Sequence, residues 1–155
     1  MSRLDYKLEY LFSYSASGGA PPQVIGPTAE GIRAIFPIAG GEVDGPRLRG
    51  KILPGGGDWL CLRTDGVAQI DVRLTFESHD GALIYAAYGG VGDFGADGYE
   101  KFLKQELPAT LRIRATPRFQ TGDPRYAWLN RLQCLAIGEA DFGRLRIAYD
   151  LYAVN

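Results

Sequence analysis

The stretch WLCLRTDGVAQIDVRLTFESHDGALIYAAYG, residues 59 to 89, alternates apolar and polar side chains in three runs separated by Asp65-Gly66 and Asp80-Gly81. A period of two marks half-buried β-strands, and Asp-Gly between such runs is the strongest short-range signal for a hairpin turn. Two linked hairpins are expected. A two-residue turn at Asp80-Gly81 sets Arg73 opposite Tyr88 and Phe76 opposite Tyr85. In the first hairpin a two-residue turn would mix polar with apolar on both faces, whereas a three-residue loop, Asp65-Gly66-Val67, sets Leu60 beside Val72 and Leu62 beside Ile70. A one-residue slip exchanges whole faces, so consistency selects the longer loop. One face is then Leu60, Leu62, Ile70, Val72, Leu74, Phe76, Leu83 and Tyr85. The other holds Trp59, Asp71, Arg73, Thr75 and Tyr88. Either this second face meets solvent, where an Asp71/Arg73 pair has little energetic consequence, or it lines a barrel lumen, where an aromatic wall with convergent polar groups makes a small-molecule site.

Outward from the hairpins the same pattern recurs. Residues 4 to 14 place Leu4, Tyr6, Leu8, Tyr10, Phe12 and Tyr14 on one parity of a strand. Further strands are expected at 31 to 38, 110 to 116, 126 to 137 and 144 to 154, with kinked or bulged strands through the glycine-rich residues 39 to 58. The one helical candidate is 98 to 106, where Tyr99, Phe102 and Leu103 share a face and Pro108 closes the run. Many short strands and one small helix predict an all-β fold, an antiparallel barrel, in a single domain of residues 1 to 155.

Composition narrows the function classes. Seventeen basic against eighteen acidic side chains leave a net charge of -1, so no global field favours nucleic acid. Two cysteines without metal-ligand spacing and a single histidine, His79, do not make a zinc site or a disulfide scaffold. No continuous apolar run suggests a signal peptide or membrane span, so a cytoplasmic protein is expected. The GGVGDFG string at 89 to 95 contains a literal GxGxxG, but no long helix opens there and residues 107 to 122 offer no acid for a ribose. Ser78, His79 and Asp80 are chain neighbours in a turn, not a triad in space. No metal or cofactor is expected.

The runs GGEVDGPRLRGKILPGGGDW (40 to 59), DGVAQIDVRLTFESHDGALIY (65 to 85) and TPRFQTGDPRYAWLNR (116 to 131) resemble the signature blocks of a bacterial and fungal family known as domain of unknown function 3237. That family resembles lipocalin-like, calycin-type barrels, which implies one strand face around a cavity. Carried over position by position, the motif residues suited to a cavity are Arg47, Asp58, Trp59, Asp71, Arg73, Tyr126, Trp128 and Asn130. The last three share one parity of the expected strand. The chain departs from the pattern at Gln120, where an acid is expected, and at His79-Asp80-Gly81, where Asp-Asp-Gly is. Members look like auxiliary proteins of aromatic-compound and polyketide metabolism, which implies a hydrophobic, oxygenated ligand.

Two functions fit. In the first, a cofactor-independent isomerase, hydratase (lyase) or cyclase uses Asp71 or Asp58 as base, desolvated against Trp59. Arg73 or Arg47 then stabilises a developing oxyanion and Tyr88 or Tyr126 donates a proton. In the second, a lipocalin-like carrier holds the ligand between Trp59, Trp128 and the tyrosines and pairs an arginine with a ligand carboxylate. An apolar outer hairpin face left uncovered by the helix would meet another copy, predicting a homodimer.

Overall fold

The computed structural model describes residues 1–155. Its strands are β1 (Leu8–Ser17), β2 (Gln23–Thr28), β3 (Gly31–Pro37), β4 (Gly40–Asp44), β5 (Gly50–Ile52), β6 (Gly57–Leu62), β7 (Val67–Ser78), β8 (Leu83–Asp93), β9 (Thr110–Ala115), β10 (Arg118–Gln120), β11 (Cys134–Asp141) and β12 (Arg146–Val154). Several are the two halves of one bent strand. The short β5 and β6 both lie along β7, with β4 and β3 beside them, and β9 and β10 both lie along β8. The circuit β1, β3/β4, β5/β6, β7, β8, β9/β10, β11, β12 returns to β1, every step antiparallel, while β2 pairs with β3 outside the circuit. This is an antiparallel up-and-down β-barrel of the kind lipocalins share. No helix is long and apolar enough to cross a membrane.

Both Asp-Gly pairs end three-residue loops, Thr64-Asp65-Gly66 and His79-Asp80-Gly81. The Arg63 and Ser78 N–H groups donate across the loops to the Val67 and Ala82 carbonyls at 3.0 and 2.9 Å. Gly66 and Gly81 sit at φ +87° and +89°, the left-handed position that such loops require and glycine supplies without strain. In the first hairpin this slides the expected register by two residues, so the faces survive. In the second it slides by one, which corrects the expectation: Tyr88 pairs with Val72, and Arg73 with Ala87. The inward face is therefore Leu60, Leu62, Ile70, Val72, Leu74 and Phe76 with Ile84, Ala86 and Tyr88, while Leu83 and Tyr85 turn outward. Because the apolar face of these hairpins fills the barrel, the expected reason for a homodimer loses its premise.

Three other expectations change. In β1 the register shifts between Tyr10 and Phe12, so Leu11 and Phe12 are both buried and Leu8 and Tyr10 are exposed. This bulge breaks the single parity expected for residues 4 to 14. Residues Pro124–Arg131 form a 3-10 helix instead of the first part of a strand, because the Asp123 side chain accepts the Arg125 N–H and Pro124 starts the turn. Helix α1 spans Gly98–Leu103 and stops short of residue 106, where Gln105 takes φ 61° and the chain leaves the helical path.

The barrel interior divides in two. Toward the end where β7 turns into β8, Phe12, Phe76 and Phe119 meet edge to face at 5.9 to 6.3 Å between ring centres. Buried Leu48 and Leu129 continue this plug. The 3-10 helix is pinned there: the Tyr126 hydroxyl donates to Asp80 at 2.8 Å and Arg47 lies 4.2 Å above the Trp128 ring. Toward the opposite end the packing opens into a cavity. Between plug and cavity, Tyr14 and Tyr149 are cross-strand partners with rings stacked at 5.1 Å, and Gly138 is the next residue across the sheet.

A Cβ at Gly138 would overlap the Tyr149 ring. Gly138→Ala should therefore cost about 1–3 kcal/mol by overpacking, read from urea denaturation, whereas Ile137→Ala on the outer face should change stability by roughly 0.5 kcal/mol or less.

Candidate functional site

The cavity begins at Asp58. The segment Pro54-Gly55-Gly56-Gly57 carries the chain from β5 to β6, and Gly56 passes so close to the Arg73 carbonyl that no side chain fits. The β6/β7 ladder then pairs Gly57 with Arg73 and Asp58 with Val72, skips Trp59 and Leu60, and resumes at Cys61 with Gln69. At the gap, the Asp71 N–H donates to the Asp58 carboxylate at 2.9 Å, and the Trp59 carbonyl accepts from Arg33 at 2.6 Å. The Asp58 side chain thus replaces a missing backbone acceptor while facing the lumen. An orphaned N–H in a sheet is costly, and the carboxylate answers it.

Val72 pairs with Asp58 on one side and with Tyr88 on the other, so the three form a row across adjacent strands. Behind that row stand Tyr14 and Tyr149, with Tyr88 edge-on to Tyr149 at 5.8 Å. Burial pushes the Asp58 carboxyl up to about 6; its bond from the Asp71 N–H and the Arg33 charge oppose the shift, and the Asp71 charge adds to it. Burial also holds Tyr14, Tyr88 and Tyr149 well above the ordinary phenol range. At neutral pH the site is a carboxylate at the edge of its titration beside phenols that stay protonated. Two carboxyl or phenol environments driven apart in this way separate a group that can cycle a proton from groups that can only donate one.

Around this polar floor the wall is apolar, with Leu60, Val72, Leu74, Leu111 and Ile113 rising toward Phe36 and Phe142. The empty space is about 780 Å³ when the open mouth is counted with the interior. Gly18 and Leu145 form two lips of the mouth, joined by a 2.9 Å bond from the Gly18 N–H to the Leu145 carbonyl. Arg146 is the one cation on the lining and it belongs to the mouth. Nowhere do three His, Cys, Asp or Glu side chains converge.

Of the residues singled out by sequence, Asp58 and Tyr88 face the cavity. Trp59, Asp71 and Arg73 keep one another's company, the Arg73 guanidinium 2.8 Å from Asp71 and 5.9 Å from the Trp59 ring centre, but on the outer surface with both charged side chains about half exposed. Their expected place in the lumen is corrected: in a closed barrel the apolar parity fills the inside, and theirs is the other one. Arg47 is exposed, paired with Glu9 and laid over half-buried Trp128 at the plugged end. Tyr126 is buried there but tied to Asp80, and Asn130 brackets the Thr121 backbone with two hydrogen bonds. These three sit on a helix, so strand parity does not bring them together. Sequence reasoning did not single out Tyr14 and Tyr149 for the site. Tyr14 stood in a recognised alternating run, and the only mark on Tyr149 is the glycine opposite it.

Residues 6–154 match the profile of a family described as protein of unknown function (DUF3237). The chain is 34% identical over 148 residues to a UPF0311 protein of Rhodopseudomonas palustris (strain TIE-1), covering 94% of this chain and 95% of that one. It superposes on the crystal structure of a beta-barrel like protein from Acinetobacter baumannii with a TM-score of 0.84 and 32% identity, over 99% of both chains. It also shares its fold with a protein from Penicillium herquei called an enzyme, at a TM-score of 0.69 and 20% identity over 100% of this chain and 99% of that one.

The Asp58 shift is also a statement about stability. An acid whose folded pKa is raised favours folding below its unfolded value, near 3.8, and that contribution is lost as pH climbs to about 6. Two units set a ceiling of about 3 kcal/mol, and partial contact with the open cavity reduces it to about 1–2. Asp58→Asn keeps an acceptor for the Asp71 N–H. It should raise stability by about 1–2 kcal/mol near pH 8 and by little near pH 4, as urea midpoints at the two pH values will show.

Proposed function

Taking as premise that this chain belongs to the DUF3237 family, we propose that it is an enzyme that moves a proton within a hydrophobic, oxygenated substrate held in the barrel cavity. The supporting observation is the Asp58 carboxyl at the floor of a largely apolar chamber, across Val72 from Tyr88, while the second lining carboxylate, Asp141, is paired across strands with Arg146. The Penicillium herquei neighbour shares only the fold, so the reading rests on this chain's own cavity.

In the simplest cycle the Asp58 carboxylate takes a proton from a carbon next to a substrate carbonyl. The C–H electron pair becomes a C=C bond, and the carbonyl π pair moves onto oxygen, where Tyr88 donates a hydrogen bond to it. Where the enolate is conjugated with a neighbouring C=C bond, Asp58 returns the proton at the far carbon of that bond, whose π pair forms the new C–H bond as the carbonyl re-forms, and the double bond has moved: an isomerisation. If Asp58 instead takes the proton of a substrate hydroxyl as that oxygen adds to the β-carbon of a C=C bond conjugated with the carbonyl, the π pair moves to the carbonyl oxygen, Asp58 returns the proton to the α-carbon, and the product is a ring. A general base works best with a pKa near the working pH, and about 6 is closer to that than an ordinary aspartate. Activity that needs the carboxylate form should rise with pH and level off above about 6, since Tyr14, Tyr88 and Tyr149 stay protonated well beyond that.

The test is hydrogen exchange. Wild-type protein should exchange the α-protons of members of a panel of enolisable aromatic and polycyclic ketones in heavy water, followed by NMR. Asp58→Asn should lower the rate by roughly 10²–10⁴-fold, while Arg73→Ala on the outer face leaves it unchanged. Wild-type exchange no faster than that of Asp58→Asn across the whole panel would remove the enzyme reading, and ligand binding without exchange would make the protein a carrier.

A further inference from the structure

Two buried donors in this barrel have nothing to donate to. The hydroxyls of Tyr14 and Tyr149 are shielded from solvent and meet no hydrogen-bond partner within the protein. Both rings are at most 3% exposed. Tyr88 influences both and is influenced by both, and alone of the three it lines the cavity. Native proteins leave few buried polar atoms unpaired, because each forfeits its hydration without return. Tyr88 comes close enough to interact with both hydroxyls, but neither contact reaches the geometry of a made hydrogen bond. The rings are locked by their packing: Tyr149 is seated over Gly138 and stacked on Tyr14, and Tyr14 abuts Phe76 at 5.3 Å.

We propose that Tyr14, Tyr88 and Tyr149 form a receptor for one oxygen atom, that of a ketone or a phenol, and that the substrate class is a neutral, ring-bearing compound presenting that oxygen at its inner end. An oxygen with two lone pairs accepts from Tyr88 directly and draws the flanking hydroxyls into the network. The apolar wall takes the rings. Charge argues for neutrality, because the floor carries the Asp58 carboxyl and the only lining cation, Arg146, is at the mouth. A carboxylate pushed to the floor would meet Asp58 without a guanidinium to offset it. This specifies the substrate of the cavity assigned above and so rests on that cavity being the binding site, but not on Asp58 being the base.

The probes are 2-naphthol, 2-naphthoate and naphthalene, three molecules with the same ring system, titrated against the full chain by fluorescence or calorimetry. Naphthol should bind about tenfold tighter or more than either of the others, the worth of about one buried hydrogen bond. Tyr88→Phe, Tyr14→Phe and Tyr149→Phe should each weaken naphthol roughly tenfold and leave naphthalene unchanged, which also reports that the variants fold. Asp58→Asn should retain naphthol binding within about threefold. Naphthoate binding as tightly as naphthol, failure of all three to bind, or phenylalanine variants with undiminished preference for naphthol would each overturn the proposal. Naphthol preference without proton exchange keeps the oxygen receptor and removes the enzyme, whereas Asp58-dependent exchange without naphthol preference does the reverse.

Discussion

A closed sheet has two faces and no long edge, so the register at each seam decides, side chain by side chain, what enters the barrel. Here the longest seam is β7 with β8, paired continuously from Val67 with Asp93 to Glu77 with Leu83. Its register is set by Gly81, whose left-handed backbone completes a three-residue loop. From that one conformation Tyr88 arrives beside Val72 and points inward. The neighbouring seam, set in the same way by Gly66, brings Asp58 to the other side of Val72. The polar floor is thus assembled by two glycines that lie outside it, Gly66 eight residues along the chain from Asp58 and Gly81 seven from Tyr88.

The barrel and its strands were legible because alternation is a strong signal where one face is dry and the other wet. The interior of the first hairpin was legible for the same reason, since Leu60, Leu62, Ile70 and Val72 leave one consistent arrangement. The second hairpin was not. AAYGG after Ile84-Tyr85 carries too few large apolar groups to betray its parity, so the loop length had to be assumed, and one residue reversed the face of Tyr88. Tyr10 and Phe12 posed the same difficulty in β1, where a bulge at Leu11 cannot be read from a run that is apolar or aromatic at almost every other position. In residues 124–131 alternation was present but lost to a local cap, Asp123 followed by Pro124. Each miss concerned a residue whose side is fixed by backbone geometry between the strands.

The outer cluster shows why chemistry on its own was a poor guide to the site. Trp59, Asp71 and Arg73 have the composition of an active centre, yet solvent screens them and an exposed pair contributes little. What Asp71 gives to the cavity is its backbone N–H, through the hydrogen bond to Asp58. A main-chain group carries no residue-type signature, so this contribution was invisible in the sequence although both aspartates had been named.

The floor brings together groups that are individually costly in an apolar chamber, and the costs are unequal in a way that assigns their roles. The Asp58 carboxyl has one strong bond and a displaced titration near 6, so both of its states are within reach around neutrality. The tyrosines cannot follow, because burial opposes any phenolate. A substrate oxygen supported by an apolar skeleton meets both requirements at once: it offers lone pairs to the hydroxyls and fills the dry chamber. A barrel carrying this floor is therefore matched to molecules that are hydrophobic along their length and polar at one end, with the Asp58 carboxyl held at that end.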